Sequence, residues 1–192
     1  MTTYRDRRIY GIEDIATLLR EVDRHLDGHA RIVIIGGAAA AFHGAVSTTT
    51  DVDTHNALGE ALEEALERAR TITGLDIPVS FSAVADVPYN SEDRFEQPFA
   101  DLHFLQVFIL EKHDLALSKA LRCVEHDLQQ LEEVHASSPF SFEVLVERFR
   151  DEMTHVIGDP ARIRANFLEL IERLFGELKR AEADRSTRDK PA

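Results

Sequence analysis

The sequence predicts an α/β chain of the α+β kind: a small mixed sheet with flanking helices over residues 1–110, a helical region packed on it over 111–182, and a flexible tail over 183–192. Three observations predict this. A wholly apolar, β-branched run, Ile32-Val33-Ile34-Ile35, stops abruptly at Gly36-Gly37, as a buried strand entering a tight turn does. Up to residue 110, short strand-like runs alternate with helix-period stripes. From Glu111 onward only the helical period remains.

In order, residues 12–27 carry Ile12, Ile15, Leu18, Leu19, Val22 and Leu26 at helical spacing, and Gly28 is placed to stop the helix. Arg31 to Ile35 is the first strand, apolar on both faces and so expected to be covered on both. A short small-residue helix spans 37–44. The polar run Ser47-Thr48-Thr49-Thr50 leads to a second strand that holds Asp51, Asp53 and His55. Leu58 to Thr73 is a helix with Leu58, Leu62, Ala65, Leu66 and Ala69 inward and Glu60, Glu63, Glu64 and Glu67 outward; Gly74 closes it. Pro78 to Ala85 reads as a third strand, and a long polar loop runs on to Pro98. Leu102 to Leu110 is a fourth strand, nearly all apolar and therefore expected at the centre. The loop before it is long enough to close an antiparallel pair, so the sheet is not required to be all parallel. Helices follow at about 111–123, 125–136, 141–154 and 160–182, the last with a stripe from Ile163 through Phe167, Ile171 and Phe175 to Leu178. Ala183 to Ala192, charged and with one proline, is expected to fray.

Composition narrows the function classes. A chain of 192 residues with 44% hydrophobic and 30% charged residues suits one globular domain with a helical extension. No apolar stretch reaches membrane-span length, and Met1-Thr2-Thr3-Tyr4-Arg5-Asp6 has no signal-peptide character, so a non-membrane protein is expected. The single cysteine, Cys123, excludes an internal disulfide and fits a cytoplasmic location. A formal net charge of −13 argues against a broad nucleic-acid surface, because phosphate binding needs clustered Lys and Arg. A small nucleotide neutralised locally by a metal ion is compatible with it.

The chemistry centres on two neighbouring features. Gly36-Gly37 brings the backbone close to a ligand and opens a helix whose free N–H groups suit phosphate. Asp51 and Asp53 fall on one face of a strand, because side chains alternate with period two. Two carboxylates on one face call for a cation between them, and magnesium is the ordinary hard ion for such a pair. Taken singly, a Gly-Gly is equally a plain turn, and each aspartate equally a solvated strand-end acid. His55 extends the alternating trio, which also suits a softer ion such as zinc or manganese.

The order strand, Gly-Gly, short helix, Asp-x-Asp resembles the core of the DNA polymerase β-like nucleotidyltransferase superfamily; thirteen residues, 38 to 50, separate Gly37 from Asp51. More closely, the chain is similar to bacterial nucleotidyltransferase-like proteins related to abortive-infection and toxin–antitoxin enzymes. The similarity extends to Glu111-Lys112-His113-Asp114-Leu115 with Lys119, and then to Asp127-Leu128. The resemblance implies a nucleotidyltransferase fold and transfer of a nucleotidyl group from a nucleoside triphosphate to a protein, tRNA or small hydroxylated acceptor. It implies magnesium, or manganese, on Asp51 and Asp53. Nucleotide binding would fall to Gly36, Gly37, Thr49, Lys119 and Asp127, with Asp51, Asp53 and Lys119 catalytic and an antitoxin as a partner. Two positions depart from the pattern. Ser47 stands where relatives carry an arginine, and the third carboxylate of the superfamily has no clear match, since Asp101 precedes the apolar strand and His103 is the first polar residue inside it. Losing that acid removes the usual general base. A catalytically degenerate module that binds a nucleotide or a partner is therefore the alternative function.

Overall fold

The structure, a computed structural model, describes residues 8–46, 49–83 and 86–188. Ser47 lies outside the described residues. The chain forms two compact units interleaved in sequence: Met1–Phe42, Val46–Ala83 and Phe95–Ile109 make the first, and His43–Ala45, Val84–Arg94 and Leu110–Ala192 the second. One junction between them falls at Ile109 and Leu110. Two short segments upstream of it also belong with the helices.

The first unit is built on a four-stranded sheet of β1 (Ala30–Ile35), β2 (Val52–Thr54), β3 (Val79–Phe81) and β4 (Leu105–Ile109), in the order β3-β2-β1-β4. The sheet is mixed, as expected. β1 runs antiparallel to β2, with Ile35 opposite Asp53, and parallel to β4; β2 and β3 are parallel, with Asp53 beside Ser80. The antiparallel pair is thus β1 and β2, not the last two strands. β4 is also an edge, not the centre. Its apolarity misleads because its outward residues are sheltered by other means: the Arg31 guanidinium lies 4.8 Å from the Phe108 ring, and Glu96 bridges to Ile109. β4 begins at Leu105 and not at Leu102 because the Asp23 carboxylate takes the N–H groups of His103, Phe104 and Leu105 at 2.7–3.0 Å. Those three donors outweigh burial and hold the Asp23 carboxyl below its usual range. β3 is shorter than expected; Val84 and Ala85, at the end of the predicted strand, lie outside the described residues.

Helix α1 (Ile12–Arg24) buries Ile15, Leu18, Leu19 and Val22 and packs on α3 (Glu60–Thr73), which buries Leu62, Ala65, Leu66 and Ala69. Burying side chains of this size stabilises by about 1.5–3 kcal/mol each, which is why the amphipathic pattern dictates both helices. The short α2 (Gly36–Phe42) buries Ala38 to Ala41, where small residues allow close contact with β1 and β2. Asn56 prolongs the β1–β2 ladder with its side chain. Its Oδ1 accepts from Val33 N–H at 2.7 Å and its Nδ2 donates to the Arg31 carbonyl at 3.0 Å.

The second unit holds α4 (Lys112–Arg122), α5 (Glu125–Ser137), α6 (Phe142–Glu152), α7 (Pro160–Phe175) and α8 (Glu177–Ser186). α4 is its hub and contacts α5, α6 and α7. The single helix expected over 160–182 is two, because Gly176 adopts φ +85° and its N–H caps α7 at the Glu172 carbonyl. The apolar stripe therefore ends at Phe175, and Leu178 is 89% exposed. α8 runs through Ser186 and buries Ala183, so helix continues past the expected start of the tail. Residues 86–94 join this unit through Arg94, which binds Asp114 and Glu152, and through the bond from Tyr89 N–H to the Glu152 carbonyl. His43 Nε2 meets the Leu110 carbonyl at 2.7 Å and Ser137 donates to the His43 carbonyl, which holds residues 43–45 there. Among the described residues, no helix is long and apolar enough to cross a membrane.

Candidate functional site

The chemistry-bearing residues separate into a strand-end group in the first unit and two buried groups among the helices.

The strand-end group starts at the exit of β1. Gly36 has φ +65°, a conformation that a side chain strains, and it opens α2. A Cβ added at Gly36 would lie 3.0 Å from Asp53 Oδ2. The glycine turn and the second aspartate are thus one site, made by the antiparallel register that sets Ile35 opposite Asp53. The expected strand holding Asp51, Asp53 and His55 is shorter: β2 is only Val52–Thr54, so Asp53 alone lies on it, while Asp51 and His55 stand in the bends at its two ends. Val52 and Thr54 are buried, and Asp51, Asp53 and His55 are half-buried. Asp53 is the carboxylate packed against Gly36, and Asp51 precedes the strand by one residue. Gly37 follows in the first turn of α2 and is half-buried.

Thr49 is placed differently from a simple ligand contact. It is buried, its backbone pairs with Tyr10, and its hydroxyl donates to the Asp51 carbonyl at 2.9 Å. That bond fixes the peptide that presents Asp51. His55 does not complete a metal trio with the aspartates. Its ring faces Phe95 edge-on, and no group of three His, Cys, Asp or Glu among the described residues could hold a metal. Two carboxylates without a third protein ligand do not make a cage for a resident ion. They do fit magnesium delivered with a triphosphate, because that ion keeps several waters and needs only one or two carboxylates beside phosphate oxygens.

Lys119 and Asp127 meet each other inside the second unit. Lys119 Nζ lies 2.6 Å from Asp127 Oδ1 and 2.7 Å from Gln130 Oε1, and both members of the pair have side chains only 3% exposed. Arg122 adds a second cation to Asp127 at 2.9 Å. The i, i+8 spacing spans the α4–α5 corner at Cys123, which takes φ +48° and ends α4. A buried cation and anion stabilise only when well paired, and here the pairing ties two helices together.

A second buried network lies on α4 and was not foreseen as a unit. Glu111 caps α4 by accepting from the His113 and Asp114 N–H groups. Asp114, with a fully buried side chain, receives Arg94 at 2.9 Å and Arg148 at 2.8 Å. His113 Nε2 accepts the Ser141 N–H at 2.9 Å, so the ring proton sits on Nδ1, 2.6 Å from Glu111 Oε1. Burial alone would raise the Glu111 pKa, but His113 and Arg148 outweigh it and hold the carboxyl at about 2. The Glu111-x-His113-Asp114 motif was visible in the sequence. Its arginine partners were not, because they come from residues 94 and 148.

A family model described as nucleotidyltransferase of unknown function (DUF6036) matches residues 11–179. The chain belongs to this family. The match spans β1, the Gly36 turn, Asp51, Asp53, Lys119 and Asp127, so the nucleotidyltransferase-like reading covers both units. No curated protein and no solved structure matches the chain. Sheet order bears on the third carboxylate that the sequence resemblance leads one to expect. β3, not β4, lies beside the strand that carries Asp53, so Asp101 and His103 are beyond β1 on the far side of the sheet. β3 itself carries Val79, Ser80 and Phe81, with no carboxylate. Ser80 stands directly beside Asp53, and no sequence signal marks it, since strand order is a tertiary property.

Proposed function

We propose that this chain binds a nucleoside triphosphate with magnesium at Asp51, Asp53 and the Gly36-Gly37 turn, and transfers the nucleotidyl group to a hydroxyl acceptor. Kinship with the DNA polymerase β-like and abortive-infection nucleotidyltransferases belongs to this reading. So do a cytoplasmic location, a protein, tRNA or small-molecule acceptor, and an antitoxin partner. One observation carries it: the Asp53 carboxylate lies so close to the Gly36 turn that a Cβ there would sit 3.0 Å from Oδ2, which brings the acid and the glycine turn together. Asp51 and Asp53 would hold the ion, with manganese as its substitute. Once bound, the ion supplies positive charge that orients the triphosphate and stabilises the α-phosphate during attack. Gly36 and Gly37 let the backbone approach the phosphates, and Thr49 orients Asp51 through its carbonyl. Lys119 and Asp127 hold α4 to α5 within the helical unit, and a nucleotide contact by Lys119 requires that pair to open.

Calorimetry tests the reading. Triphosphate binding is expected only with magnesium present, and Asp51→Asn or Asp53→Asn should weaken it by at least about tenfold, roughly 1.4 kcal/mol or more. Absence of binding at millimolar magnesium overturns it. The second reading, a module that binds without turnover, is favoured by the lack of an acid on β3. It predicts triphosphate binding with no labelled product after incubation with labelled triphosphate and lysate.

A further inference from the structure

We propose that Ser80 is an acceptor of the nucleotidyl group, so that the protein modifies itself on its own sheet; this rests on the reading of Asp51 and Asp53 given above. Ser80 pairs in register with Asp53 across the parallel β2–β3 ladder. In-register neighbours of a parallel pair point to the same face, with their strands about 4.8 Å apart. The Ser80 hydroxyl therefore shares the face of Asp53. β3 is the edge of the sheet and Ser80 is exposed, so both a nucleotide and water reach it.

The neighbouring hydroxyls do not offer the same opportunity. Thr49 donates to the Asp51 carbonyl, and Thr54, on the opposite buried face, donates to the carbonyls of Asn56 and Ser80. Thr50 lies in the bend before β2 and has no partner in the β2–β3 register. Ser82 shares the Ser80 face but lies past the last paired residues, Thr54 and Phe81, and so is displaced from Asp53. Among the described residues the Ser80 side chain makes no hydrogen bond that would hold its hydroxyl elsewhere.

In the step, Ser80 Oγ attacks the α-phosphorus of the triphosphate. A serine O–P bond forms as the bond from that phosphorus to the bridging oxygen breaks. Pyrophosphate leaves with the electron pair, and the hydroxyl proton passes to water. No third carboxylate on β3 is needed to remove that proton, because Ser80 is open to solvent.

The test uses the full chain incubated with magnesium and each of the four ribonucleoside triphosphates, followed by intact-mass measurement and peptide mapping. An adduct of one nucleotidyl group on the peptide containing Ser80 is expected. Ser80→Ala should reduce it by at least about tenfold while triphosphate affinity stays within about twofold of wild type and the thermal melt is unchanged. Ser82→Ala should retain the adduct, and Asp53→Asn should lose both binding and adduct. Wild-type protein that binds triphosphate without forming an adduct, or an adduct that persists in Ser80→Ala, overturns the Ser80 assignment alone. Wild-type protein that binds no triphosphate removes the parent reading together with it.

Discussion

In the α/β unit, Asp51 and Asp53 sit two residues apart at half-buried positions, Asp53 beside Gly36, whereas in the helical unit Lys119 and Asp127 face each other with side chains 3% exposed. The contrast follows from electrostatics. Two like charges repel, and at a partly solvated strand end the proposed cation would offset that repulsion. A cation and an anion side by side compensate each other, so they tolerate burial and hold helices together. Residues that the sequence groups as one nucleotide site thus divide into a surface suited to a ligand and an interior suited to cohesion. Glu111, Asp114, Arg94 and Arg148 follow the second pattern on a larger scale.

The sharpest way to break this comparison is to remove one side of the buried pair. Lys119→Ala should destabilise the protein by about 3–5 kcal/mol in chemical denaturation, because Asp127 keeps a buried charge and loses its main partner. The double variant Lys119→Met with Asp127→Leu should recover most of that loss. A Lys119→Ala loss below about 1 kcal/mol would show that the pair contributes little cohesion.

Acid titration comes next. The Glu111 carboxyl is held at about 2 in the folded chain against an ordinary 4.5. A folded pKa below the unfolded one means that the stabilisation is complete above pH 4.5 and is lost as pH falls towards 2. The loss should be about 2–3 kcal/mol, and Glu111→Gln should flatten the acid limb of the stability curve over that interval. An acid limb unchanged by Glu111→Gln would show that the network is not held by this carboxylate.

The smallest effect on stability belongs to the open site. Gly36→Ala strains a left-handed backbone and pushes a methyl towards Asp53, at a cost of about 1–2 kcal/mol in thermal or chemical melts. Its larger consequence should be weaker magnesium-dependent triphosphate binding. Full retention of that binding in a folded Gly36→Ala would remove the glycine from the site.

Part of this was legible without coordinates. The runs 12–27, 31–35 and 58–73 declared their elements because their apolar spacing has one dominant period each, and Gly74 announced the end of α3. The pairing of Gly36 with the Asp51–Asp53 strand was legible as a motif. The placement of Leu102 to Leu110 at the centre was not recoverable, since a strand sheltered by Arg31 and Glu96 has the same composition as one flanked by strands. Nor was the break at Gly176, because a glycine within a continuous stripe is compatible with an unbroken helix until its φ is known.

By itself, then, the sequence determined most of the helices, the first strand, the mixed α/β character and the glycine turn, all of which follow from local period and residue type. Tertiary structure decided that β3 and not β4 flanks Asp53, that Ser80 stands beside that carboxylate, and that Lys119 and Asp127 are sealed together. Those outcomes depend on strand order and on which distant side chains meet, and such contacts leave no periodic trace along the chain.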